Sequence, residues 1–213
     1  MAAPTDNSTE QNSTKLSSLT GEGIIVDIGT GDGLFVYQSA RQNPNKFYIG
    51  IDANPTPLQK ISERIHRKPQ KGGAPNVLFI QSSVEDLPNE LDGVAAEVHI
   101  HFPWGSLLAA VATGAEDVIG NIRRICSTGA LLEIVFGLDP ARDAAELDRL
   151  NIGPIDVAFI DTVLCPLYTS SGFEIVERAI LPEDEWAKFH TTWAKRLKSG
   201  RGRLLTYIIA KAV

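Results

Sequence analysis

The sequence predicts an α/β domain built on one mainly parallel sheet. Three observations lead there. From Gly23 onward, short β-branched runs alternate with longer helical stretches, the pattern of βαβ units. A glycine-rich turn, Gly29-x-Gly31-x-Gly33, joins the first such run to the first helical stretch. Near the end of the chain, two strand-like runs are separated by a single helix and nothing helical follows. The alternation breaks there.

Seven strands are expected, at 24–28, 47–51, 77–81, 96–102, 129–136, 173–180 and 203–210. The helices between them are expected at 33–43, 56–67, 106–112, 115–126, 140–150, 156–170 and 182–198. The helix at 182–198 is the best punctuated. Pro182 suits its first position, and Glu183, Asp184 and Glu185 fill its first turn. Lys195, Arg196 and Lys198 fill its last turn and Gly200 follows, so charges at both ends complement the helix dipole. Residues 1–20 are rich in Ser, Thr, Asn and Gln. They are expected to be a poorly ordered tail, at least to Thr14, ahead of one domain over 21–213.

Composition narrows the function classes. The chain has 213 residues, 43% hydrophobic and 22% charged, ordinary for one globular domain with a sizeable core. No apolar run approaches the roughly 20 residues that cross a bilayer, and the polar N-terminus has no signal-peptide stretch. Cys126 and Cys165 lie far apart and form no CxxC pair. A reducing cytoplasm is therefore expected, with no disulfide framework, no metal site and no membrane partner.

Net charge is −6, but it is segregated. Window 60–71 holds Lys60, Arg64, Arg67, Lys68 and Lys71 against Glu63 alone, a net +4. Window 188–203 holds Lys188, Lys195, Arg196, Lys198, Arg201 and Arg203 with no acid, a net +6. Together they carry +10, which leaves −16 on the rest of the chain. Either window alone could be a solvated helix face. Two of them can form a basic face for a polyanion.

The glycine turn lets a ligand approach the backbone closely. A dinucleotide fingerprint would need a glycine at position 34, which is Leu34. Asp32 within the turn would repel a pyrophosphate, and Asp27 just before it suits a cationic amino acid moiety. The turn therefore favours the sulfonium cofactor S-adenosylmethionine (SAM) over a phosphate-rich one. Asp52 closes the second strand, where an acid can accept hydrogen bonds from both ribose hydroxyls. Val84 and Glu85 follow the third strand, where residues can flank the adenine ring and Glu85 or Asp86 can accept its amine. Capping of a helix by Ser83 or Glu85 is the alternative.

On the acceptor side, His101-Phe102-Pro103-Trp104-Gly105-Ser106 follows the fourth strand, beside the switch point of such a sheet. Trp104 there could stack on a flipped-out base or pack on the core. Trp193 recurs with Trp186, Phe189 and Leu197 at helical spacing, a core pattern, yet sits among Lys and Arg as RNA-binding aromatics do.

Five segments then carry a resemblance: Asp-Ile-Gly-Thr-Gly-Asp-Gly (27–33), Phe-Tyr-Ile-Gly-Ile-Asp (47–52), Lys-Pro-Gln-Lys-Gly-Gly (68–73), Phe-Pro-Trp-Gly-Ser (102–106), and Trp-Ala-Lys-Arg-Leu (193–197) with Gly-Arg-Gly-Arg (200–203). From about Ile24 to Tyr207 the chain resembles the aminoglycoside-resistance 16S rRNA (adenine(1408)-N(1))-methyltransferases. The first two segments are common among methyltransferases; the last three are specific to this group. The resemblance implies a class I SAM-dependent methyltransferase fold, a Rossmann-like seven-stranded sheet whose last strand is antiparallel. It implies 16S rRNA in the assembled 30S subunit as substrate. It places Trp104 and Trp193 on either side of the flipped adenine. Gly29, Gly31, Asp52, Val84, Glu85, Phe102, Ser106 and Thr191 join Asp27 around SAM. Arg67, Lys68, Lys71, Arg196, Arg201 and Arg203 hold rRNA phosphates, the last three on a basic insertion at about 182–203. A monomer is expected. Members of the group begin with a short β-hairpin, and residues 1–20 depart from that pattern in lacking its alternation.

Rival readings are a methyltransferase for another RNA such as tRNA or for a small molecule, a non-catalytic RNA-binding relative, and an NAD-linked oxidoreductase. Leu34 and Asp32 disfavour the last, and the basic windows disfavour a small molecule.

Overall fold

The computed structural model describes residues 23–181 and 204–213. The tail at 1–20, the helix at 182–198 and all of Thr191, Trp193, Arg196, Arg201 and Arg203 lie outside the described residues. The strands are β1 (Ile24–Ile28), β2 (Phe47–Asp52), β3 (Val77–Gln81), β4 (Ala95–His101), β5 (Cys126–Leu138), β6 (Phe173–Leu181) and β7 (Leu204–Ala212). They form one seven-stranded sheet in the order β3-β2-β1-β4-β5-β7-β6. Pairs β1–β2, β2–β3, β1–β4 and β4–β5 are parallel, while β7 runs antiparallel to both β5 and β6. The single reversed strand is the last one, as the family resemblance implies.

The winding explains where a ligand can sit. From β1 the chain lays down β2 and β3 on one side, then crosses to put β4 on the other. That reversal opens a crevice at the carboxyl ends of β1 and β4. All five residues of β1 are buried, as expected for a parallel strand covered on both faces. Its side chains alternate between two cores. Ile24, Val26 and Ile28 join the larger one, and Ile25 joins the smaller one with Val36, Tyr37 and Ile61.

The helices follow their apolar spacing. Helix α1 (Leu34–Gln42) buries Val36, Tyr37 and Ala40, and α2 (Gln59–Ile65) buries Ile61 and Ile65. Helix α3 (Gly105–Thr113) buries Leu108, Val111 and Ala112. Helix α4 (Glu116–Ile125) buries Val118, Ile119, Ile122 and Ile125, with Glu116 and Asp117 in its first turn and Arg123 and Arg124 in its last. Helix α5 (Ala144–Leu150) is shorter than the expected 140–150, because Asp139 accepts the backbone N–H groups of Ala141 and Arg142 and holds them in a turn.

Two further differences from the sequence-based expectation have local causes. Strand β5 starts at Cys126 rather than at 129, because the register shift against Ala95–Glu97 absorbs the Ser-Thr-Gly stretch that otherwise reads as a turn. Helix α6, over residues 157–170, is not uniform. It is α-helical at Val157–Phe159 and Cys165–Ser170, with a π-helical stretch at Ile160–Leu164 between them. Pro166 explains it, since its missing N–H cannot close the bond to the carbonyl four residues back.

Candidate active site

The carboxyl ends of β1, β2, β3 and β4 surround one cavity of about 410 Å³, within the usual size range of small-molecule sites. Gly29 and Gly31 form one wall. Asp52 stands at the end of β2, with Ala53, Asn54 and Pro57 beyond it. Val84 and Glu85 approach from the turn after β3, and Phe102 to Leu107 approach from the loop after β4.

The glycine turn is shaped by backbone geometry that side chains resist. Gly29, Gly31 and Gly33 all have positive φ, at 76°, 60° and 69°. A Cβ on Gly29 would stand 2.7 Å from Leu107 Cδ2, so the close approach of turn and α3 depends on its absence. The N–H groups of Gly29 and Thr30 both donate to the Ile51 carbonyl, at 2.8 and 3.0 Å. Asp52 completes the tie. Its Oδ2 accepts the Gly31 N–H at 2.7 Å and its Oδ1 accepts the Asn54 N–H at 2.9 Å. Each oxygen keeps a second lone pair for a hydroxyl. Asp32 accepts the Leu34 N–H at 3.2 Å, a turn contact at the start of α1.

The turn after β3 is held from behind. Asn121 on α4 donates to the carbonyls of Val84 and Glu85, at 3.2 and 3.1 Å. Val84 is buried and Glu85 is exposed on the cavity side. Ser83 makes no side-chain capping bond to this turn, so the capping alternative for it is not what is seen.

The loop after β4 presents Trp104. Phe102 is one of two described non-glycine residues at positive φ, at 52°. Such strain costs about 1–3 kcal/mol and persists only where surroundings enforce it. Here the Phe102 N–H is bonded to the Val135 carbonyl at 2.7 Å, and the ring is buried. Pro103 and then Gly105, at φ 62°, fix the rest of the turn. Trp104 directly precedes α3, 42% exposed on the cavity rim. The core-packed alternative for Trp104 therefore does not describe it.

Asp27 stands apart from the other predicted cofactor residues. It is 4% exposed, and it does not line the cavity. It lies on the α1 face of the sheet, register-paired with His99 on β4. Burial pushes its carboxyl up, and the nearby His101 opposes that. Beside it, burial works against a charge on His99, but hydrogen bonds to Glu133 and Glu97 outweigh it and raise His99 to about 9. Glu133 is pushed up by burial, but His101 and His99 outweigh that and hold it well below the usual carboxylate range.

Of the basic residues, Arg67, Lys68 and Lys71 are all exposed on the loop leading into β3. The Lys68 carbonyl accepts the N–H groups of Lys71 and Gly73, at 2.7 and 3.1 Å. Gly73 has no alternative: a Cβ there would stand 1.7 Å from the Arg67 carbonyl oxygen. The specific Lys-Pro-Gln-Lys-Gly-Gly segment is thus a rigid platform for its cations. Sequence reasoning missed Arg41, which lines a groove on α1 with Arg64 and Lys71. Arg41 and Arg64 flank the Tyr37 ring at 5.8 and 4.7 Å, and Tyr37 donates to the Gly72 carbonyl at 2.8 Å. No periodicity marks Arg41; only the fold brings it to this platform.

The cavity fits SAM. Its glycine wall admits a ligand to the backbone, Asp52 offers acceptors for ribose hydroxyls, and Val84 with Leu107 gives apolar sides for a purine. A sheet of this order, with one reversed strand and an acid facing the glycine turn, is the frame of class I SAM-dependent methyltransferases. Comparison with known proteins narrows that class. The family described as NpmA, 16S rRNA (adenine(1408)-N(1))-methyltransferase, matches residues 6–212, and the chain belongs to it. The 16S rRNA (adenine(1408)-N(1))-methyltransferase of Streptoalloteichus tenebrarius is 35% identical over 181 residues, 84% of this chain and 82% of that protein. The aminoglycoside resistance methyltransferase NpmB1 superposes with a TM-score of 0.81 at 39% identity, covering 94% of this chain and 93% of its own. A variant of the 16S rRNA (adenine(1408)-N(1))-methyltransferase from Catenulisporales acidiphilia, solved with cosubstrate SAM, gives 0.85 at 31% identity, over 98% and 93%.

Proposed function

We propose that the protein transfers the methyl group of SAM to N1 of adenine 1408 of 16S rRNA in the 30S subunit and so confers aminoglycoside resistance. The observation that carries this reading is Trp104, half out of the protein on a strained, fixed loop at the rim of the cofactor cavity. An indole held there is a stacking platform for a base taken out of its helix.

The chemistry suits the lining. Adenine N1 has a free lone pair at neutral pH, so no base must first remove a proton. Among the described residues lining the cavity, Asp52 and Glu85 are the titratable ones, and no His, Cys or Lys is among them. SAM supplies the methyl as an electrophile on a positively charged sulfur. The chain's part is to hold the two reactants close and in line. Asp52 and the turn at 29–31 bind the ribose side, Val84 and Glu85 the adenine side, and Ser106 sits at the start of α3 beside the rim. Trp104 offers its π-face to the base, whose methylated form is cationic. Such an interaction contributes about 0.5–2 kcal/mol. Trp193 is assigned the opposite face and Thr191 a place beside SAM. Arg196, Arg201 and Arg203 are assigned to phosphates with Arg67, Lys68 and Lys71.

The topology supports a large substrate. The cavity lies at the carboxyl ends of the strands, while the platform at 68–73 leads into the amino end of β3. These are about 17 Å apart along a five-residue strand. A substrate that reaches both is a macromolecule. We assign the enzyme to the cytoplasm, where 30S subunits are found, and to a monomer. Among the described residues no helix is long and apolar enough to cross a membrane.

Binding to 30S subunits is expected to weaken steeply with added salt, since neutralising phosphates releases counterions. Replacing Arg67, Lys68 and Lys71 together by Glu should reduce the slope of log affinity against log salt by about 3, one for each cation removed from a phosphate, with SAM affinity unchanged. A flat salt response, or an unchanged slope in the triple variant, contradicts the docking surface. Methyl transfer to 30S subunits, naked 16S rRNA and tRNA separates this substrate from other RNAs.

A further inference from the structure

We propose that His99, His101 and Glu133 form a binding site for a divalent transition metal of the Zn2+ class, a structural cross-link between β4 and β5 on the sheet face opposite the larger core. Cysteine spacing alone predicts no metal. This cluster is assembled across two strands and has no linear signature of that kind.

Strand alternation puts His99 and His101 on one face of β4, since Val98 and Ile100 point into the larger core. Glu133 is the register partner of His99 on β5. One donor atom from each residue converges. His99 Nδ1 stands 3.4 Å from His101 Nε2 and 3.5 Å from Glu133 Oε1. His101 Nε2 stands 2.5 Å from the same Oε1. All three donor atoms lie within 4.8 Å of one another. Around a tetrahedral Zn2+ with bonds near 2.0–2.1 Å, neighbouring donors are about 3.3 Å apart. Two of the three separations already match. The third opens by a shift of the Glu133 carboxylate, whose side chain is 32% exposed and has room to move.

The surroundings are those of a ligand set. His99 directs its other ring nitrogen, Nε2, to Glu97 Oε2 at 3.4 Å, and Lys46 holds Glu97 at 2.9 Å. A carboxylate behind a ligating imidazole fixes its tautomer and raises its basicity. The Phe35 ring covers the pair, its centroid 4.8 Å from that of His101 and 5.5 Å from that of His99. Two imidazoles and one carboxylate suit Zn2+, Co2+ or Ni2+ better than Mg2+ or Ca2+, which prefer all-oxygen shells. None of the three residues lines the cofactor cavity, so an ion there takes no part in methyl transfer. Its place is mechanical. His101 directly precedes the strained Phe102, whose N–H is bonded to β5, so the ion would clamp the base of the loop that presents Trp104.

The test uses the full chain, stripped with a chelator, dialysed, and titrated with Zn2+ and separately with Co2+. One equivalent of Zn2+ should bind, and at a hundredfold excess over Kd the Tm should rise by about 5–10 °C. The Co2+ adduct should show the intense visible bands of a four- or five-coordinate ion without a thiolate charge-transfer band. Glu133→Gln and His101→Asn should weaken Zn2+ at least 100-fold, and Glu97→Gln by about 10–100-fold. No stoichiometric binding, or equal affinity in Glu133→Gln, overturns the site. Where a variant fails to fold, the wild-type cobalt spectrum decides alone: weak octahedral bands, or thiolate bands from Cys126 or Cys165, contradict it.

Discussion

Trp104→Ala should lower kcat/KM for methylation of 30S subunits by about 10- to 100-fold while SAM affinity stays within about twofold. The magnitude is that of one stacked base, about 1–3 kcal/mol, read as rate. Trp104 is 42% exposed, so its ring is not needed to fill the core, and its removal leaves the buried Phe102 and the bond to Val135 in place. Trp104→Phe keeps an aromatic face and should retain most of the activity. Turnover by Trp104→Ala within threefold of wild type would remove the base-stacking role. A parallel loss of SAM affinity would instead assign the residue to the cofactor.

The second large effect is expected at Asp52. Its carboxylate binds the Gly31 and Asn54 N–H groups, at 2.7 and 2.9 Å, and is assigned the ribose hydroxyls as well. Hydrogen bonds to a charged group contribute about 1.5–3 kcal/mol each, so Asp52→Ala should weaken SAM by at least about 100-fold in calorimetry. Asp52→Asn keeps one acceptor oxygen and should lose less, about 10-fold. An unchanged SAM Kd in Asp52→Ala would mean that the acid serves only the turn.

The sequence was most readable where one local rule acts alone. The seven strands follow from alternating runs and their order, and the reversal of β7 from the family resemblance. Gly29, Gly31 and Gly33 announce a turn of positive φ, and Asp52 announces itself by closing a strand. Readings failed where two rules compete. The Gly129 stretch reads as a turn, but pairing with β4 absorbs it into β5. Pro166 lies inside a helical pattern and converts part of α6 to π geometry. The site shows the same division. Gly29, Gly31, Asp52, Val84, Glu85, Phe102, Trp104 and Ser106 come together because all lie at or just beyond the carboxyl ends of β1, β2, β3 and β4. Asp27 lies on the α1 face of the sheet beside His99, and its place beside SAM stands as a proposal. Arg41 had no linear signal, and of the His99–His101–Glu133 cluster only the i, i+2 histidine pair was readable in the strand, since Glu133 joins it in the folded chain.

The central claim is an N1 methyl on one adenine. Primer extension on 30S subunits incubated with enzyme and SAM tests it most directly, because an N1 methyl blocks base pairing. The account predicts a single enzyme- and SAM-dependent stop next to adenine 1408. An uninterrupted extension through that position, or a stop at another base, would contradict it.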